Sequence, residues 1–287
     1  MSVPIVRAPK KAAPTAEVLA INPPLVVDWL VRFLVHECKV RRNIHRAVLG
    51  LSGGVDSAAV AYLCARAFGP ENTLVVRMPY KISSQNSLDH AQLVIDDLGL
   101  KPMTIPITDM VDGYLTQLGG EVSATRIGNV CARCRANILF DQSAAIGGLP
   151  IGTGNKTERL FGYFTWHADD SPPINPLGDL LKSQVWDIAR ELGVPEVIVD
   201  KPASADLVPG QTDEGDFGIS YARADLILHY LLQGYDRAGL VGLGFPDAEV
   251  QLVWRRVDGT HWKRHLPTVA MLTDTSINDY YLRPVDY

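Results

Sequence analysis

The residues with the clearest chemistry form the run Gly50-Leu51-Ser52-Gly53-Gly54-Val55-Asp56-Ser57, which continues an apolar stretch at 47–51. Adjacent glycines let backbone N–H groups approach phosphate oxygens, and a helix beginning just beyond them adds unpaired donors and a favourable dipole. Ser52 and Ser57 supply hydroxyl donors, and the Asp56 carboxylate can hold Mg²⁺ against a polyphosphate. A Walker A lysine is missing, so the sequence predicts a phosphate-binding loop of another type.

Strands and helices alternate around this loop and must position it. Apolar runs predict strands at 47–51, 73–78, 102–107 and 149–152, and helical periodicity predicts helices at 23–42, 55–68, 84–98, 129–145, 181–192 and 219–233. This alternation favours an α/β fold, a doubly wound parallel sheet with helices on both faces that binds nucleotide at the carboxyl ends of its strands.

The domain organisation follows from the same pattern. Residues 1–16, with three prolines, indicate a flexible N-terminal arm, and 17–287 indicate a single domain. Within it, 201–218 read as a long loop because they are rich in glycine and proline. Residues 235–287 are expected to form a C-terminal extension that packs near the site.

Composition excludes several classes of protein. The 287 residues are 47% hydrophobic and carry a formal charge of −5, which argues against disorder and against a nucleic-acid partner. No apolar run approaches the roughly 18 residues of a membrane span, and the N-terminus lacks a secretory pattern, so neither membrane nor export is expected. Four cysteines do not make a disulfide scaffold, and we expect a cytoplasmic protein.

The loop at 50–57 resembles the pyrophosphatase loop of ATP-dependent enzymes that activate a carbonyl group by adenylation. Further segments, from about residue 46 to 233, resemble the bacterial ammonia-dependent NAD synthetase family. They are Gly152-Thr153-Gly154-Asn155-Lys156-Thr157-Glu158, Gly162-Tyr163-Phe164-Thr165, 174–184, 201–207 and 209–214, with a weaker match near 261–267. The resemblance implies an adenine nucleotide alpha hydrolase-like fold.

The resemblance also implies a two-step amidation. The nicotinate carboxylate of deamido-NAD attacks the α-phosphate of ATP, giving an acyl-adenylate and pyrophosphate, and ammonia then displaces AMP to give NAD. The family's ATP-contacting positions are matched by the loop Gly50–Ser57 and by Arg77, Thr153, Lys182 and Ser204. Asp56 and Glu158 match its Mg²⁺ ligands, and Lys182 is expected to stabilise the α-phosphate during attack.

The positions that contact deamido-NAD in the family match less well. Arg133 fits, and its planar guanidinium suits a carboxylate or a phosphate. Trp166, Pro173 and Trp262 stand where many members have lysine, aspartate and histidine, whereas Lys263 still matches. Either the same dinucleotide stacks on tryptophan here, or the acceptor differs; we favour the first interpretation.

The ammonia source follows from the resemblance as well. Members that use glutamine carry an amidase domain ahead of the synthetase part, whereas the phosphate loop here begins at residue 50. The expected donor is free ammonia unless a separate glutaminase delivers it. Ammonium must lose a proton before it attacks, so we assign Asp169 as the ammonium-binding carboxylate, with a surface aspartate as the alternative. The resemblance also implies a homodimer.

Two other functions remain open at this stage. Cys131 and Cys134 form a CxxC, and some adenylating enzymes that act on a tRNA base or a deazaguanine pair this loop with functional cysteines. A zinc site needs four ligands, which the spacing does not supply, so packing thiols are the favoured interpretation. A nucleotide sensor without turnover is the second alternative. The joint presence of Asp56, Glu158 and Lys182 favours an enzyme.

Overall fold

The computed structural model describes residues 14–204, 211–265, 268–270 and 272, and in these ranges four parallel strands form one sheet. The strands β1 (Ala47–Gly50), β2 (Thr73–Arg77), β3 (Lys101–Thr104) and β4 (Leu149–Pro150) lie in the order β3-β2-β1-β4. The chain moves outward from β1 to β3 and then returns to the other side of β1. The crevice between β1 and β4 is therefore the topological switch point, where ligands bind in open α/β sheets.

Helices connect the strands and cover the sheet. They are α1 (Pro23–Leu34), α2 (Val55–Phe68), α3 (Gln85–Leu98), α4 (Thr108–Leu118), α5 (Ala124–Ile146), α6 (Lys156–Phe161), α7 (Lys182–Leu192), α8 (Glu196–Val199), α9 (Asp213–Phe217), α10 (Tyr221–Leu232), α11 (Arg237–Gly242) and α12 (Asp247–Gly259). A π-helical segment, Val35–Val40, prolongs α1, and short 3₁₀ turns occupy Ala16–Leu19, Pro70–Asn72 and His261–Arg264.

The two faces of the sheet pack against different helices. Successive strand residues point to opposite faces, so Leu49 and Val75 join one apolar cluster with α1, α2, α3 and α7. Val48 and Val76 join another with α4 and α5. This arrangement confirms the predicted parallel sheet with helices on both faces. A third cluster, built mainly by α9 to α12, packs beside α6 and α7.

The structure differs from the predictions in several elements, and the helices that were not predicted are α4, α6, α8, α9, α11 and α12. The helix α4 was not predicted, because Gly113 and scattered polar residues weaken its helical signal. The third strand is 101–104 rather than 102–107. The interpretation of 201–218 as one loop was wrong, since Asp213–Phe217 form α9, whose N-terminus Thr212 caps by accepting a hydrogen bond from the Gly215 N–H (3.1 Å).

Contrary to the expectation that no such run exists, the segment Ala16–Val40 is long and apolar enough to cross a bilayer by length and composition, with a mean hydropathy of 1.6. A helix in the core of a soluble protein can have the same length and hydropathy. Its inner residues Leu30, Leu34 and Cys38 are buried in the cluster against α2 and α7. The helix is thus part of the core on one side, while Leu25 and Trp29 are exposed on the other.

Some predicted features lie outside the described residues. They are residues 1–13 of the predicted arm, 205–210 of the predicted loop and its motifs, Pro267 and the final part of the extension from 273 onward.

Candidate active site

The predicted phosphate loop joins the end of β1 to the start of α2, at the switch point of the sheet. Gly53 adopts a φ of +79°, and a Cβ at this position would lie 2.0 Å from the carbonyl oxygen of Ser87. Both observations require glycine. The loop therefore bends sharply against the first turn of α3, and the amino end of α2 opens at the edge of the sheet.

The two predicted hydroxyl donors brace this loop internally. The Ser57 hydroxyl donates to the Gly54 carbonyl (2.9 Å) and accepts from the Ser52 N–H (3.2 Å). Ser52 Oγ accepts from the Gly54 N–H (3.3 Å) and remains exposed. Ser57 is buried, so its local role is to hold the turn, whereas Ser52 keeps a surface toward solvent.

Three charged residues far apart in sequence meet behind the loop; we call Asp56, Glu158 and Lys182 the lysine cluster. The Lys182 ammonium donates to Asp56 Oδ2 and lies 3.6 Å from Glu158 Oε1. Asn155 joins them, since its Nδ2 donates to Asp56 Oδ1 (2.9 Å). Its Oδ1 accepts from the Glu158 N–H (2.9 Å), which caps α6.

Burial and charge set the electrostatics of this cluster. The Lys182 side chain is 1% exposed, which disfavours its charged form, but the carboxylates of Asp56 and Glu158 outweigh burial and raise the pKa of Lys182. Burial and the nearby Asp56 charge raise the pKa of Glu158. Two carboxyl groups thus share one ammonium, so a further cation beside them would be electrostatically favourable.

The donor set of the cluster suits Mg²⁺. Mg²⁺ is commonly held by one or two carboxylates together with substrate phosphates and water. Asp56 and Glu158 provide two carboxylates beside the phosphate loop, each with part of its side chain exposed (18% and 19%). Among the described residues no group of three or more His, Cys, Asp or Glu side chains forms a metal cage. The remaining ligands would have to come from phosphate and water.

Two of the other predicted ATP contacts, Arg77 and Thr153, follow strands at the same edge of the sheet. Arg77 ends β2, and its guanidinium donates to Thr104 Oγ1 (3.1 Å) and Gln92 Oε1 (2.8 Å). Thr153 follows β4, just beyond the bridge that joins Ile151 to Ile174. Ser204 is exposed and precedes the undescribed residues 205–210.

Four predicted acceptor residues meet at a second place, which we call the tryptophan corner: Arg133, Trp166, Trp262 and Lys263. The two indole rings pack edge to face with centroids 5.2 Å apart, and Arg133 donates to the Trp166 carbonyl (3.1 Å). Lys263 donates to the carbonyls of Gly162 (2.6 Å) and Phe164. Two positions that depart from the family pattern are therefore in direct contact with each other.

The remaining predicted acceptor residues are exposed. Asp169 Oδ2 accepts from the Thr165 N–H (2.7 Å) and closes the turn that carries Trp166. Pro173 lies on the surface before the bridged residue Ile174. His167, two residues before Asp169, has a positive φ of 58° and stacks on Trp166 with ring centroids 4.0 Å apart. Such backbone strain in a non-glycine residue is common at functional sites.

Sequence reasoning missed several buried polar residues of this region, which are Asn155, Asp213, Tyr221 and Asp225. A signal existed for Asn155, because asparagine followed three residues later by glutamate is typical of a helix N-terminus. The other three are brought to Lys182 by α9 and α10. Asp213 lies in the family-like segment 209–214 but had no role assigned to it, and no local pattern marks Tyr221 or Asp225.

The cysteines of the CxxC lie in α5. Cys131 is 2% exposed within the apolar cluster under α4 and α5, and burial raises the pKa of both Cys131 and Cys134. A raised pKa disfavours the reactive thiolate. This environment is that of packing residues.

A parallel sheet with a glycine loop after β1 and the lysine cluster behind it defines a nucleotide-binding protein with the adenine nucleotide alpha hydrolase-like fold. The sequence profile of the NAD synthase family matches residues 26–267. The chain belongs to the NAD synthase family, which confirms the predicted family.

Individual relatives agree with this assignment. The chain is 44% identical, over 91% of its length and 95% of the relative, to an NH(3)-dependent NAD(+) synthetase of Trichlorobacter lovleyi. Two solved structures are similar over 88% of the chain at 29% identity: an NMN synthetase from Francisella tularensis (TM-score 0.78, 99% of that chain) and an NH3-dependent NAD synthetase from Campylobacter jejuni (TM-score 0.75, 100% of that chain).

Proposed function

We propose that the chain catalyses the ATP-dependent amidation of deamido-NAD with ammonia. A nicotinate carboxylate oxygen bonds to the α-phosphorus of ATP, and the bond to the β-phosphate breaks to release pyrophosphate. Ammonia then bonds to the acyl carbon, loses a proton and displaces AMP, leaving NAD. The observation that carries the proposal is the convergence of the phosphate loop and the lysine cluster at the switch point of the sheet.

The parts of this site have distinct tasks in the first step. The loop N–H groups and the amino end of α2 bind phosphate oxygens without the cost of moving them. Lys182, already ordered by Asp56 and Glu158, offers its ammonium to the charge that grows on the phosphates during attack. Arg77 lies at the end of the neighbouring strand and is placed to contact ATP.

Mg²⁺ is part of the proposal, with Asp56 and Glu158 as its protein ligands. Two partly exposed carboxyl groups that share a single ammonium support this assignment. When bound, the metal would neutralise charge on the pyrophosphate leaving group.

The acceptor is proposed to bind at the tryptophan corner. Arg133 is exposed, and Trp262 is 52% exposed. An exposed indole offers a stacking surface to a flat ring. Among the described residues, the Lys263 ammonium uses two of its three N–H donors for backbone carbonyls, which leaves the third for a ligand. Asp169, in the same turn, is proposed to hold ammonium, and Pro173 borders this turn.

A homodimer, a cytoplasmic location and the use of free ammonia complete the proposal. They follow from the family resemblance and from the cysteine content. A separate glutaminase partner is the alternative source of ammonia.

The test is incubation of the purified chain with ATP, Mg²⁺, ammonium and deamido-NAD, scoring AMP, pyrophosphate and NAD. We expect AMP and NAD in equal amounts, and no AMP when deamido-NAD is left out. Nicotinate mononucleotide serves as a parallel acceptor, because one similar structure is an NMN synthetase. Turnover of the mononucleotide alone would overturn the acceptor assignment, and release of ADP and phosphate would overturn the adenylation chemistry.

A further inference from the structure

Lys182 lies against an aromatic ring as well as against its carboxylates. Its ammonium is 5.3 Å from the ring centroid of Tyr221, which is 1% exposed. Phe217 and Trp186 pack edge to face against this ring with centroids 5.3 Å and 5.8 Å away. The ring position is therefore fixed by neighbours on both α9 and α7, and the ring limits where the ammonium can move.

The Tyr221 hydroxyl reaches a third carboxylate. It donates to Asp213 Oδ2 (2.8 Å), and Asp213 is 4% exposed. The other oxygen, Asp213 Oδ1, is buried with no hydrogen-bond partner among the described residues. A buried carboxylate is costly unless it is paired. Packing alone would be served by phenylalanine, so the hydroxyl and the carboxylate indicate a polar task.

One turn further along α10, Asp225 fixes the backbone of the same lysine. It is fully buried, and it accepts from the Thr157 hydroxyl (2.6 Å) and from the Ser183 N–H (2.9 Å). Thr157 Oγ1 in turn accepts from the Lys182 N–H (3.0 Å). Tyr221 and Asp225 are four residues apart and so lie on the same face of α10. This helix therefore lies against the ammonium of Lys182 through Tyr221 and holds the backbone of Lys182 through Asp225.

We infer that Tyr221 and Asp225 are positioning residues for Lys182, with Asp213 orienting the Tyr221 ring through its hydroxyl. This inference rests on the proposed function, in which Lys182 acts on the α-phosphate. A long flexible lysine loses most of its rotamer freedom when it is ordered, so a rigid aromatic floor and a fixed backbone place its charge before ATP arrives. Among the described residues, neither Tyr221 nor Asp225 makes a hydrogen bond to the phosphate loop.

The first test separates rate from binding. Tyr221→Phe and Asp225→Asn should each lower kcat by about 10- to 100-fold while the KM for ATP stays within about 3-fold, because a misplaced ammonium impairs the reaction more than binding. Tyr230→Phe is the matched control on the same helix; its ring contacts Tyr235 and Phe245 rather than Lys182. Equal losses in all three variants, or a change in KM alone, would overturn the inference.

The second test is a double-mutant cycle with Lys182→Ala, measured as single-turnover AMP formation. If Tyr221 acts through Lys182, then Tyr221→Phe should cause no further loss in the Lys182→Ala background. A full additional loss there would assign Tyr221 a general structural role. Melting temperatures of all variants identify any that are unfolded at the assay temperature.

A crystal structure of the Tyr221→Leu variant decides the matter without turnover. We expect the Lys182 ammonium to leave its position against Asp56 once the ring is gone. If Lys182 keeps its position in the variant, the inference is refuted, and this holds whether or not the wild-type chain forms AMP. A wild-type chain without turnover would instead refute the proposed function, so the two failures are distinguishable.

Discussion

The lysine cluster and the tryptophan corner are built in contrasting ways. The cluster lies at the ends of buried strands, where Lys182 is 1% exposed and each partner is held by a helix terminus or a capped turn. The corner consists of a surface turn and a 3₁₀ turn, and Trp262 is 52% exposed. In the proposed function, phosphate chemistry is thus anchored in the core of the fold, whereas the acceptor would be recognised on a surface that can change without disturbing the core.

The largest loss of activity should follow a substitution in the lysine cluster. We expect Lys182→Ala to lower kcat by about 10²- to 10³-fold with a much smaller change in the KM for ATP, because a preorganised charge acts mainly on the transition state. Steady-state AMP release measures both constants. Lys156→Ala is the control, since Lys156 pairs with the exposed Asp179 in the turn before α7. A large rise in KM with kcat unchanged would give Lys182 a binding role only.

The next effect concerns the shape of the phosphate loop. We expect Gly53→Ala to weaken ATP binding by at least about 10-fold and to cost about 1–3 kcal/mol of stability, because its φ is positive and its Cβ meets the Ser87 carbonyl. Calorimetric ATP titration and thermal unfolding measure these changes. Gly99→Ala provides the control, as Gly99 also has a positive φ but no atom within 4 Å of the added Cβ. Equal ATP binding by both variants would contradict the expectation.

A smaller and more selective effect is expected at the tryptophan corner. Trp262→Ala should raise the KM for deamido-NAD by about 10-fold and leave the KM for ATP unchanged, because the loss is that of an aromatic contact on the surface. Trp254→Ala on α12 is the matched control, since that indole is also exposed. If Trp262→Ala changed ATP binding as well, the two regions would not be separable and the comparison would fail.

The smallest effect is expected from the CxxC. Replacing Cys131 and Cys134 together with serine should leave kcat within about 2-fold, since burial keeps their thiols protonated. Loss of stability by about 1–2 kcal/mol is the expected cost at the buried Cys131. An inactive but folded variant would revive the interpretation in which these thiols do chemistry.

The parts of the fold that follow from sequence are those with local signals. The helices predicted over 55–68 and 84–98 agree with the structure to within a residue, because apolar periodicity marks them. The helices α4 and α9 were missed, since Gly113 weakens one and polar turn residues disguise the other. Short helices of this kind are stabilised by packing more than by propensity.

The residues of the candidate site also divide into those that a motif marks and those that only the packing of the chain brings together. The loop and the residues Asp56, Glu158 and Lys182 were found because they stand in ordered motifs, and the structure places these three together. Tyr221 and Asp225 were not found, since their role depends on which helix packs behind Lys182. The contact between Trp166 and Trp262 could not be seen either, because it joins positions about a hundred residues apart.

The close approach of Gly53 to Ser87 has a mechanical consequence. Ser87 also accepts a hydrogen bond from the Lys201 ammonium (3.0 Å), so three distant stretches of chain touch at one carbonyl-bearing residue in the first turn of α3. We therefore expect a shift of that turn to move both the proposed phosphate loop and Lys201, which follows α8. Nucleotide binding at the loop and the position of Lys201 would then be coupled through Ser87.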